Sequence, residues 1–177
     1  MTMFELSTPV SPADHALGPS HAPVTVVEYG DFECPNCKQA APAVKLLLNH
    51  FTGRVRFVFR HFPLEEVHPN AVHAAEAAEC AGGQGKFWPM HDALFDHQPH
   101  LHLNNLRSYA EHLELDMGRY ASEMNDHAYL QRVREHMQGA RASGVRATPT
   151  FFVEGRIQDV SYDLGSLFAA VEAALRK

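Results

Sequence analysis

The sequence predicts an α/β fold carrying an inserted helical subdomain, on three observations. A β-α-β pattern opens the chain, about eighty residues with helical but no strand periodicity follow, and a strand hairpin with an amphipathic helix closes it. The 177 residues suit one domain over 1–177 with the insertion at about 64–143. That length buries roughly two-thirds of the surface the unfolded chain exposes.

Residues 1–23 contain Pro9, Pro12, Gly18, Pro19 and Pro23, lack periodicity, and read as an extended lead-in. Val24 to Tyr29 is β-branched and almost continuously apolar, the pattern of a central strand covered on both faces. From Lys38 to Phe51 the apolar residues Ala40, Ala41, Val44, Leu47, Leu48 and Phe51 recur at helical spacing. Pro42 is the expected kink in that helix and Gly53 its stop. Arg54 to Arg60 is a second strand, rich in β-formers, and completes a unit expected to be right-handed and parallel.

The insertion reads as helices over Ala71–Ala81, Phe87–His97, Leu103–Leu113, Met117–Asn125 and Asp126–Ala142. Gly82-Gly83-Gln84-Gly85 and Gln98-Pro99 are its breaks. Gly82 to Lys86 lacks the glycine spacing of a phosphate loop and a Ser or Thr after Lys86, so it reads as a helix terminator. Thr150 to Val153, a Glu154-Gly155 turn and Arg156 to Gln158 form a hairpin. Asp163 to Lys177, with Leu164, Leu167, Phe168, Val171 and Leu175 on one face, is the closing helix.

Fifteen Lys and Arg against 21 Asp and Glu leave a net charge of −6, which argues against nucleic acid or an anionic membrane as partner. Residues 1–37 hold Glu5, Asp14, Glu28, Asp31 and Glu33 and no Lys or Arg, unlike a secretory or mitochondrial leader. Uninterrupted apolar runs are far shorter than the ~20 residues that span a bilayer. A cytoplasmic location is the expectation.

Three cysteines are too few for a disulfide scaffold, and the odd count leaves one unpaired within the chain. Cys34 and Cys37, separated by two residues, stand at a strand-to-helix junction. At the first turn of a helix, unsatisfied N–H groups and the helix dipole stabilise the Cys34 thiolate. Cys37, one turn on, can close a disulfide by attacking a mixed disulfide at Cys34. Pro35 falls near the first helical position, where its missing N–H is harmless. The other reading of the pair is half a zinc site, which needs two further ligands; Cys80 is alone and no second CxxC exists.

Glu28, a carboxylate in an otherwise apolar strand, is either buried, where desolvation raises its pKa and suits it to proton exchange, or a solvated strand end. Arg146 either places a cation near the thiolate or is an exposed loop arginine. Asp31 and Glu33 disfavour a thiolate at Cys34 by like charge. Cys80 reads as a small buried apolar residue of the helical subdomain or as a third reactive thiol. No metal site is assigned, because no two of the thirteen histidines are four apart and the three-apart pair His97 and His100 spans Pro99. His100 and His102 on a loop are the open alternative.

The segment from Val27 to Pro42, with Cys34-Pro35-Asn36-Cys37 at its centre, resembles the active-site segment of the thioredoxin superfamily. The helical insertion resembles its DsbA-like branch. The resemblance runs in order over residues 22–177. Its most specific parts are the CxxC, Glu28 six residues before Cys34, Pro42 eight after it, and Ala147-Thr148-Pro149-Thr150-Phe151. It implies a thioredoxin fold and a thiol-disulfide oxidoreductase with Cys34 as nucleophile, Cys37 as resolving thiol and Glu28 as proton acceptor.

It also implies a cis bond between Thr148 and Pro149, with Thr148, Pro149, Pro35 and Asn36 meeting substrate. Protein or small-molecule thiols and disulfides are the implied substrates, and a redox recycling partner is implied with them. No dissociable cofactor is required, since the cysteine pair is the redox centre. Thioredoxin has Gly-Pro between its cysteines and DsbA has Pro-His; here Pro35-Asn36 keeps the proline and replaces a residue able to carry positive charge. The alternatives are a glutathione-dependent isomerase or transferase of the same fold, whose members commonly lack the second cysteine, and a metal-binding or redox-sensing module.

Overall fold

The computed structural model describes residues 4–160 and 164–177. The elements in order are β1 (His15–Leu17), β2 (Val24–Gly30), α1 (Pro35–His50), β3 (Val55–His61), α2 (Ala71–Gly83), α3 (Phe87–Asp96) and α4 (Leu103–His112). They continue with α5 (Met117–Asn125), α6 (Leu130–Ala142), β4 (Thr150–Val153), β5 (Arg156–Gln158) and α7 (Gly165–Leu175). Two compact units emerge: Met1–Gly30 with Gln39–Arg60 and Gln138–Lys177, and Asp31–Lys38 with His61–Met137.

The first unit is built on a sheet of strand order β1-β3-β2-β4-β5. The neighbours β3 and β2 are buried along both faces, as their unbroken apolar runs require. β2 pairs antiparallel with β4, setting Glu28 opposite Phe151 and Tyr29 opposite Thr150. β4 returns through Glu154 and Gly155, both at positive φ (50° and 77°), to pair antiparallel with β5. Left-handed geometry at both positions is what a two-residue hairpin turn needs, and Glu154 is held in it by accepting from the Thr25 N–H at 2.6 Å. Ala40, Val44, Leu47 and Phe51 of the α1 segment are buried, and α7 packs Leu167 and Val171 over β2 and β4. The helix α1 runs on through Pro42. Asp163, the expected first residue of the last helix, lies outside the described residues.

One strand departs from expectation. His15–Leu17, within the stretch read as an extended lead-in, pairs antiparallel with β3, Ala16 facing Val58. Three residues are too short to show alternation, and their place is fixed by a distant contact. Arg60 donates from Nε and Nη2 to both carboxylate oxygens of Asp14 at 2.9 Å, and to the carbonyls of Thr8 (2.8 Å) and Pro9 (3.1 Å) and the Tyr29 hydroxyl (3.1 Å).

The second unit is helical. Its central helix α2 buries Ala71, Ala74, Ala75, Ala77, Ala78, Cys80 and Ala81 together with the charged Glu76 and Glu79. Small side chains let α3, α4 and α5 pack closely around it. The two buried carboxylates have partners: Glu76 accepts from Nδ1 of His127 at 2.8 Å, and Glu79 meets His61 Nε2 at 2.8 Å and Arg132 Nε at 3.0 Å. The glycine stretch terminates α2 as expected, with the Lys86 N–H returning to the Ala81 carbonyl at 2.8 Å and Lys86 Nζ donating to the Leu113 carbonyl. Helix α6 starts at Leu130 rather than Asp126, because His127 adopts a left-handed conformation (φ 51°) that interrupts the helix.

Candidate active site

The α1 helix begins at Pro35, which places Cys34 at the cap position. The Cys34 carbonyl accepts the first helical hydrogen bond, from the Lys38 N–H at 3.2 Å. Pro35 at the first helical position gives up an N–H that has no helical partner. Cys34 is 5% exposed and Cys37 fully buried, whereas Pro35 and Asn36 between them are exposed. A thiol at a helix N-terminus with a sliver of exposure, followed one turn later by a buried thiol, is a geometry for nucleophilic attack and ring closure.

The turn that carries Cys34 is fastened on three sides. Asp31, fully buried, closes it locally: its Oδ1 accepts from the Glu33 N–H at 2.7 Å, and its carbonyl accepts from the Cys34 N–H at 3.1 Å. Its Oδ2 accepts from the Leu64 N–H at 2.8 Å and from Nδ1 of His68 at 2.7 Å. A carboxylate oxygen only accepts, so that ring nitrogen carries the proton. The Asp31 N–H in turn points at the Cys37 sulfur, 3.5 Å away.

Glu33 is engaged by the same downstream segment, through the Asn70 N–H at 2.7 Å and its side-chain amide at 3.1 Å. From the other side, the Gln98 side-chain amide donates to the carbonyls of Phe32 (2.7 Å) and Cys34 (3.2 Å), while Lys38 Nζ donates to the Gln98 carbonyl at 3.1 Å. Phe32, 1% exposed, anchors the turn among Phe95, His91 and His61, with ring centroids 5.0, 5.7 and 5.9 Å away. Asp31 and Glu33 are therefore not bare charges beside the nucleophile. Both are met by hydrogen-bond donors, partners that their proximity to Cys34 in sequence does not show.

Glu28, Thr148 and Pro149 belong to the first unit. Glu28 is 2% exposed in the middle of β2, so the buried reading of its position holds. Gly30, two residues on and on the same face, leaves room for it. A Cβ there would lie 2.5 Å from Phe59 Cε2 and 3.1 Å from Glu28 Oε1, a close approach only glycine permits. The Thr148-Pro149 bond is cis, with Thr148 buried and Pro149 half-buried. The β2–β4 register brings the end of β2 alongside the strand that follows Pro149. Arg146 is exposed on its loop.

Cys80 is fully buried, and its thiol is pushed up to about 12, first by burial and then by the negative charges of Glu123, Glu76 and Glu79. At neutral pH it is a thiol, not a nucleophilic thiolate. His97 is used locally, its Nδ1 on the Ala93 carbonyl at 2.8 Å and its ring stacked on Tyr109. His100 and His102 are exposed. Among the described residues no group of three or more His, Cys, Asp or Glu side chains is placed to hold a metal ion. Sequence reasoning missed His68, Asn70 and Gln98. They lie between 37 and 66 residues from their partners, and nothing in their local pattern marks them.

Comparison with known proteins adds three findings. The family model described as thioredoxin (Thioredoxin_4) matches residues 10–173. Among solved structures, the chain is similar to oxidised BdbD from Bacillus subtilis (TM-score 0.88, 23% identity, 99% of this chain and 100% of that one), which shows the fold. It is also similar to a thioredoxin-like oxidoreductase from Silicibacter pomeroyi DSS-3 (TM-score 0.83, 28% identity, 94% and 95% covered). Among curated proteins, it is 53% identical over 173 residues to a protein named Na(+)/H(+) antiporter NhaA 1 from Salinispora arenicola. That match covers 97% of this chain and 26% of the relative, so the chain spans about a quarter of that protein's length.

Proposed function

Because the chain belongs to the thioredoxin superfamily, in its DsbA-like branch, we propose that it is a thiol-disulfide oxidoreductase whose working centre is the Cys34–Cys37 pair. The observation that carries this reading is the geometry of the two sulfurs: Cys34 capping α1, and Cys37 one turn on receiving the Asp31 N–H. In the reducing direction the Cys34 thiolate attacks one sulfur of a substrate disulfide; that S–S bond breaks and the first substrate thiolate leaves and takes a proton. Cys37 then gives its proton to Glu28 and attacks the Cys34 sulfur, releasing the second substrate thiol. Two electrons pass to the substrate, and the Cys34–Cys37 disulfide remains. Oxidation of a substrate dithiol is the same sequence reversed.

Thr148 and Pro149 hold the extended substrate, and the exposed Pro35 and Asn36 meet it from the motif. Protein or small-molecule thiols are the substrate class, with a separate redox partner to restore the starting state. The cytoplasm is the proposed location. The antiporter name belongs to much longer proteins. Among the described residues no helix is long and apolar enough to cross a membrane, and redox chemistry, not transport, is the activity proposed for this chain.

The test is a single turnover. Reduced protein mixed with a disulfide-bonded peptide is expected to release peptide thiols as two protein thiols are lost, and a Cys34→Ser variant to release none. Absence of release from the wild type, or stoichiometric zinc that disappears in Cys34→Ser, would replace this reading by a metal-binding module.

A further inference from the structure

The segment 64–70 lies outside the CxxC motif, yet it supplies four of the donors that hold the turn before Cys34. Among them His68 is the one titratable side chain on Asp31. Its ring is 19% exposed, and the carboxylate it meets is fully buried. The other acids of the two segments are engaged elsewhere or at the surface: Glu33 with Asn70, Glu65 with Arg134 at 2.7 Å, and Glu66 exposed. The chain of contacts runs from His68 Nδ1 to the Asp31 carboxylate, and from the N–H of that same residue to the Cys37 sulfur.

We propose that His68 is a positioning residue for the second chemical step: by donating to Asp31 it holds the Asp31 N–H on the Cys37 sulfur and offsets the carboxylate charge beside it. A donor aimed at sulfur favours the thiolate, the form of Cys37 that attacks the mixed disulfide. Loss of the imidazole leaves Oδ2 with the Leu64 N–H alone, lets the turn shift, and leaves more negative charge facing the developing thiolate. Attack by Cys34 on a substrate depends on the helix N-terminus and is affected less. This rests on the redox reading above.

The experiment compares two variants in rapid mixing of the reduced protein with oxidised glutathione, following the Cys34–glutathione adduct by acid quench and mass spectrometry. His68→Phe keeps a planar ring without a donor, and His68→Asn keeps an N–H near the Nδ1 position. In His68→Phe the adduct is expected to persist about tenfold longer, the change that one pKa unit at the attacking thiol produces. Cys34 alkylation by iodoacetamide should change by less than about twofold, and His68→Asn should stay near the wild-type rate. Should His68→Phe fail to fold, His68→Ala takes its place. Wild-type adduct lifetimes in the donor-less variant would overturn the proposal and leave the redox reading standing. Slowing of alkylation and resolution by the same factor would also overturn it, since a general loosening of the site does that. A wild-type protein that forms neither adduct nor disulfide would remove the redox reading itself.

Discussion

Replacing Cys37 by serine is expected to stop the reaction at the mixed disulfide. Cys34 keeps its place at the cap of α1, so the first attack proceeds and a substrate thiol is released. The serine hydroxyl cannot form the second S–S bond, and the adduct remains on Cys34. With a disulfide-bonded peptide as substrate, intact-mass measurement should show one covalent peptide per protein chain, mapped to Cys34, with turnover lower by at least about a hundredfold. Reducing agent should remove the adduct and restore the original mass. An adduct on Cys80 would contradict the assignment, since that thiol is buried with its pKa pushed up to about 12. Full turnover without Cys37 would mean that an external thiol resolves the adduct, as in a glutathione-dependent enzyme of the same fold.

The largest expected loss of stability comes from Arg60, outside the reactive centre. Its guanidinium is 3% exposed and makes five hydrogen bonds, two to Asp14 and the others to Thr8, Pro9 and Tyr29. Arg60→Leu keeps apolar bulk on β3 but leaves the Asp14 carboxylate buried without its cation and three further acceptors short of a donor. Removing one partner of a buried pair costs about 3–5 kcal/mol. For a chain of this size that lowers the melting temperature by roughly 10 °C. The double variant Arg60→Leu/Asp14→Leu should recover part of the loss, because replacing both charges by apolar groups leaves no orphan charge. Denaturant midpoints of the three proteins check this, and a loss below about 1 kcal/mol in the single variant would show that the pair is not a structural anchor.

The strands and helices legible in the sequence are those whose pattern is local. The unbroken apolar runs of β2 and β3, the Glu154-Gly155 turn and the alanine-rich α2 each carry their own signal within a dozen residues. Burial of Glu28 was legible in part, since a carboxylate flanked by Val26, Val27 and Tyr29 in a two-faced strand points inward unless it lies at a solvated strand end. The β1 strand was not, because His15–Leu17 is held by β3 and lies near the Asp14–Arg60 pair, 46 residues apart in sequence. The charges near Cys34 show the same limit. Asp31 and Glu33 read as like charges beside Cys34 from their neighbours in sequence, and the donors that Leu64, His68 and Asn70 supply to them come from a distant segment. Electrostatics at a site depend on partners brought by tertiary structure, and one-dimensional spacing does not contain them.

The measurement that bears most directly on the central claim is equilibration of the purified protein with graded mixtures of reduced and oxidised glutathione, followed by acid quench and counting of thiols by mass. The predicted result is one two-electron transition in which Cys34 and Cys37 oxidise together while Cys80 stays a thiol. Its midpoint should fall between those of thioredoxin and DsbA, about −270 and −120 mV, since Asn36 supplies no positive charge to the Cys34 thiolate. Three thiols that titrate independently, or a midpoint at or above the DsbA end, would contradict the account.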